Sequence, residues 1–114
     1  MKKYTHEVIF CIVNAGYSET AMEAARECGA KGGTVINARG TASTEAENRF
    51  NITIQPEKEI VMIIVERAIK DDILHALYKK VGLNTAGQGM AFSVPVDKAV
   101  GLYEAKAETK VDTE

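Results

Sequence analysis

The chain is poor in the residues that usually announce a chemistry. It has two cysteines, Cys11 and Cys28, and two histidines, His6 and His75, among 114 residues. Two thiols, one inside an apolar run and one near the end of a helix-like run, do not make a disulfide scaffold; with no secretory signal they fit a reducing cytoplasm. No cysteine–histidine group has zinc spacing. No nucleophile, base and orienting group form a set, so neither a metal centre nor a catalytic site is expected. Long apolar runs are missing as well. Residues 8–13 are six consecutive apolar residues, too few for a signal-peptide core or a membrane span. Charge of one sign is also lacking: 14 basic against 16 acidic residues leave a net charge of −2. That removes the clustered basic face a nucleic-acid partner requires.

What is present reads as one soluble globular domain, with 46% apolar and 26% charged residues. A core of this size is small, and association with further copies would add to it. Residues 8–13, rich in β-branched types, predict a strand. Ser18 is placed to cap a helix over 19–28, with Met22, Ala25 and Cys28 on one stripe and Gly29 in the left-handed position after its end. Residues 34–38 predict a second strand. The plan then repeats: a strand over 59–66; a helix over 72–81, capped by Asp71, with Ile73, Leu74, Leu77 and Val81 on one face and Gly82 after its end; and a strand over 90–96. Two βαβ units at similar spacing predict an α+β, ferredoxin-like fold with a four-stranded antiparallel sheet and two helices on one face. The other sheet face needs a cover, most simply more copies of the chain. Residues 39–58 form a long polar insertion, in which 50–54 alternate like a hairpin stem. Residues 103–114 read as a polar flexible tail.

The segment "GQGMAFSVPVD" poses a puzzle. Its Gly-x-Gly runs into a strand, whereas a dinucleotide fingerprint opens a helix. Successive backbone N–H groups at the mouth of a strand can still form an anion nest.

With "GGTVINARG" leading into the insertion and "GQGMAFSVPVDKAVGL" following the second helix, residues 8–102 resemble the PII nitrogen-regulatory signal-transduction family. The resemblance implies a homotrimer with its sheets facing inward and adenine nucleotides in the clefts between subunits. It implies a T-loop that docks on a transporter, enzyme or regulator protein, and no catalytic activity. Carried over residue by residue, Thr34 matches the threonine near the adenine ring and Gly40 the glycine at the T-loop base. Gly87 and Gly89, flanking Gln88, match the glycines of the B-loop. Arg39 and Lys58 are the remaining local cations. The loop that would meet a partner contains Thr41, Ala42, Ser43, Thr44, Glu45, Glu47 and Arg49. The departures are as informative. Met90 stands where the family has a lysine, and its C-terminal arginines have no counterpart. Triphosphates depend on such cations, so ADP or AMP is expected in preference to ATP, with no firm metal. The rival readings are a small trimeric metal-handling protein similar to CutA, and an assembly module that binds no ligand.

Overall fold

The computed structural model describes residues 3–41, 56–84 and 88–102. The expected hairpin stem, most of the partner loop, Gly87 and the polar tail lie outside these. The elements run β1 (His6–Asn14), α1 (Ser18–Glu27), β2 (Thr34–Arg39), β3 (Glu57–Glu66), a 3-10 turn (Arg67–Ile69), α2 (Lys70–Lys80) and β4 (Gly89–Pro95). The four strands form one sheet in the order β2-β3-β1-β4, and every neighbouring pair is antiparallel. Each βαβ unit is therefore split: β3 lies between β1 and β2, and β1 between β3 and β4. This is the ferredoxin-like arrangement expected.

Alternation decides which side chains meet the helices. Ile9, Cys11 and Val13 of β1 and Val61, Ile63 and Val65 of β3 are buried. They pack with Ala21, Met22, Ala24 and Ala25 of α1 and with Ile73, Leu77 and Val81 at α2. The three alanines let α1 lie close on the sheet. Each fully buried Ile or Leu contributes roughly 1.5–3 kcal/mol. The opposite parity faces away from the helices, and much of it is apolar. In cross-strand register it includes Ile36 opposite Ile60, Phe10 opposite both Met62 and Phe92, and Met90 opposite Ile12. Phe10 and Phe92 stack with centroids 5.3 Å apart, yet Phe92 and Met90 remain 41% and 55% exposed.

Both helix starts differ from expectation. Ser18 is the first residue of α1, after an N-cap at Tyr17 that makes no side-chain hydrogen bond. Asp71 lies inside α2, which begins at Lys70 because the 3-10 turn feeds directly into it. Helix ends follow local chemistry more closely. Gly29 has φ +110°, and the amides of Gly29 and Ala30 donate to the carbonyls of Arg26 and Ala25, which is a Schellman motif. Gly82 likewise takes a positive φ of 84°.

Candidate functional site

The expected ligand residues separate into two groups at opposite edges of the sheet. Thr34, Arg39, Gly40 and Lys58 lie on or beside β2, whereas Gln88, Gly89 and Met90 open β4. Strands β3 and β1 stand between them, so about 14 Å of sheet separates the two edges. The groups are also offset along the strands: Thr34 shares a row with Met62, Phe10 and Phe92, but Gly89 shares one with Val13, Glu59 and Asn37.

At the β2 edge, Thr34 lines a groove of about 300 Å³ with Lys31, Gly33, Met62, Ile64 and Leu102. A second hollow, about 150 Å³, shares Lys31 and Ile64 with it and reaches Glu66 and Ile69. Gly33 is fixed by packing: a Cβ there would lie 2.8 Å from the Met62 carbonyl oxygen and 3.1 Å from Met22 Sδ. Lys31 escaped the sequence reading. Its signal was its place as the lone charge in "GAKGGT", directly ahead of Thr34.

At the β4 edge, a groove of about 290 Å³ is lined by Leu74, Tyr78, Leu83, Gly89, Met90 and Ala91, none of them charged. Gly89 has φ +129°, and a Cβ on it would stand 2.0 Å from the Ile12 carbonyl oxygen. The close passage of β4 over β1 is therefore reason enough for a glycine at that position.

The two cations grouped by sequence take different surroundings. Arg39 is exposed at the end of β2, opposite Glu57, while Lys58 lies opposite Ala38. Adjacent register positions face opposite ways, so the two side chains are on opposite faces of the sheet. The Lys58 Nζ donates to Asn14 Oδ1 at 2.5 Å, and its stem passes Gly40, where a Cβ would meet Lys58 Cε at 3.0 Å.

The foot of the insertion is tied to the start of α1 by contacts remote in sequence. The Gly40 amide donates to Pro56 O and the Ala15 amide to Glu57 O. Glu59 Oε1 accepts from the amides of Gly16 at 3.1 Å and Ser18 at 3.3 Å. These donors, first Gly16 and then the Ser18 hydroxyl, hold the Glu59 carboxyl below its ordinary pKa. A carboxylate from β3 thus takes the capping role expected of Ser18, and suits the positive end of the helix. At the other end of the sheet, the buried carboxylate of Glu7 lies 3.5 Å from Lys70 Nζ and 3.6 Å from Arg67 Nε. Neither glutamate carries a sequence motif. Parity with Ile9 and with Val61 places each on the helix face.

Among the described residues, no group of three or more histidines, cysteines or acidic residues is placed to hold a metal ion, and no helix is long and apolar enough to cross a membrane.

Comparison with known proteins then gives a consistent result. The model of the family described as nitrogen regulatory protein P-II matches residues 6–106. No curated protein sequence matches the chain. Among solved structures, the crystal structure of Arabidopsis thaliana PII bound to citrate superposes with a TM-score of 0.60, covering 81% of this chain and 78% of that one at 17% identity. At that identity the likeness speaks for the fold.

Proposed function

The chain belongs to the nitrogen regulatory protein P-II family, and from that premise we propose that it is a homotrimeric regulator that binds an adenylate between subunits and reports it through the loop at residues 41–51. One observation carries the reading. The residues matched to the family's nucleotide site lie at two edges of one sheet, and two copies side by side would bring the Thr34 groove of one against the Gln88–Gly89–Met90 edge of the next. The half-exposed apolar face of Phe92, Met90 and Ile36 favours such association, since soluble monomers seldom leave large apolar patches uncovered. ADP or AMP is preferred to ATP because Met90 offers a phosphate no charge and no arginine follows Arg67. The mechanism is a shift in population: the ligand stabilises one stance of the loop foot at Gly40 and Lys58, and a partner protein binds one loop stance better. No chemical step is assigned to the chain, and its expected compartment is the cytoplasm.

Light scattering at micromolar concentration tests the assembly; a mass of three chains is expected, and a mass of one refutes it. Thermal shift with adenylates, divalent metals and citrate separates this reading from a metal-handling one, because a ligand of the native state raises its melting temperature. Deleting residues 41–48 is expected to abolish partner binding and leave the trimer intact. A deletion that dissolved the trimer would make the segment structural.

A further inference from the structure

We propose that Glu59 is a positioning residue for the insertion: by gathering the turn between β1 and α1 around its carboxylate, it fixes the arm by which the insertion returns to the sheet, and so sets the stance of the insertion's foot. The inference rests on the loop reading above and adds to it the residue that holds the foot.

The returning arm, residues 56–59, is held from four sides. On one edge the Gly40 amide donates to Pro56 O, just past Arg39 and Glu57, the last pair of the β2–β3 ladder. On the other edge the Ala15 amide donates to Glu57 O, just past Asn14 and Lys58, the last pair of the β1–β3 ladder. On the face away from the helices Lys58 Nζ donates to Asn14 Oδ1. On the helix face Glu59 Oε1 accepts from the amides of Gly16 and Ser18. Three of these four fastenings lead to the same stretch, residues 14–18, so past the ends of both ladders the arm follows the shape of that turn. The shape in turn follows Glu59. Gly16 has φ +99°, and a Cβ on it would meet nothing within 4 Å, so packing does not fix this permissive residue. Hydrogen bonds do: the Tyr17 amide closes the turn onto Asn14 O, and the amides of Ala15, Gly16 and Ser18 all reach the arm. The carboxylate takes two of those three, and an ionised acceptor holds amides more strongly than a neutral one. Without it the turn can rotate about Gly16 and draw the Ala15 amide off Glu57 O. An arm loosened at Glu57 grips the Gly40 amide less firmly at Pro56. Glu59 thus acts on the foot through the turn, since Gly40 is bonded to Pro56 and not to Glu59.

Amide hydrogen exchange on the full chain tests this, with the central-strand amides of Ile9 and Ile63 as the gauge of global stability. Glu59→Ala should lower protection at Ala15 and Gly40 by about tenfold more than at Ile9 and Ile63, the factor that one hydrogen bond of ordinary net strength is worth. Glu59→Asp keeps the charge but withdraws it by one methylene, and should show the same pattern with less disturbance of the fold. Glu59→Gln, which keeps an acceptor oxygen at the same reach, should return Ala15 and Gly40 towards native protection. Equal loss at all four amides would make Glu59 a general brace, and loss confined to Gly16 and Ser18 would make it a helix cap alone; either result overturns the assignment and leaves the loop reading standing. Partner binding that survives deletion of residues 41–48 would fell the loop reading, and with it the meaning of the hold exerted by Glu59, whatever the exchange data show.

Discussion

The two βαβ halves of the molecule use the same devices with different chemistry. Each edge strand is entered by a glycine pressed onto a carbonyl of a central strand: Gly33 on Met62, Gly89 on Ile12. Each helix start is held by a glutamate from the other half. Glu59 of β3 accepts amides at α1, while Glu7 of β1 pairs with Lys70 and Arg67 at α2. The differences lie in tolerance. Gly33 has no positive φ, and two of the three atoms nearest a Cβ there belong to the side chains of Ile63 and Met22, whereas Gly89 has a positive φ and the three nearest atoms are all backbone. Glu59 is half-buried and binds neutral donors; Glu7 is 4% exposed and binds cations. The halves are thus braced against each other, and the second is the less forgiving at its strand entry.

The largest expected effect tests that last point. Gly89→Ala should cost about 3 kcal/mol or more, through overpacking and a strained φ together, and Gly33→Ala about 1–2 kcal/mol, both read from urea unfolding. Equal losses would erase the contrast between the halves. Next, Glu7→Ala should cost about 2 kcal/mol by leaving two cations without their buried carboxylate, more than Glu59→Ala costs in the same measurement. The reverse order would mean that the amide cap, and not the ion pair, is the stronger brace. A smaller effect is the dependence of stability on acid. The folded pKa of Glu59 lies below its ordinary 4.5, so its contribution is full above that value and is lost as pH falls through the folded pKa. Melting temperatures from pH 7 to pH 3 should fall more steeply for the native chain than for Glu59→Gln. The smallest concerns the first half alone, since both cysteines lie in it. Burial pushes the Cys11 thiol up to about 11, while Cys28 is only half-buried and points to the Asp72 carbonyl at 3.6 Å. Iodoacetamide at neutral pH should label Cys28 and spare Cys11, and Cys28→Ser should stop the labelling. Rapid labelling of Cys11 would show that the first half opens more readily than the braces allow.

The legible part of the fold was the part written in local pattern. Runs such as 8–13 and the face of Ile73, Leu77 and Val81 identified their elements to within two residues, and Gly29 and Gly82 marked helix ends because only local backbone geometry is at stake there. The helix starts were less legible. Ser18 and Asp71 are good caps by residue type, yet Glu59 outcompetes the first from 41 residues away and the 3-10 turn absorbs the second. For the site, residue matching grouped positions that one chain keeps at opposite edges of its sheet.

The strand order also constrains synthesis. In the order β2-β3-β1-β4, β1 and β2 are not paired: β2 pairs with β3 alone, and β1 with β3 and β4. A ribosome that has released only the first 41 residues has therefore made two strands that cannot pair with each other in the native way, and a helix with little to pack on. Native pairing must await the segment Glu57–Glu66, whose arrival allows the ladders to β1 and to β2 to form. Until then the nascent chain carries the apolar run at 8–13 without its partner, which makes this short interval the time when it is most exposed to aggregation and most in need of a chaperone.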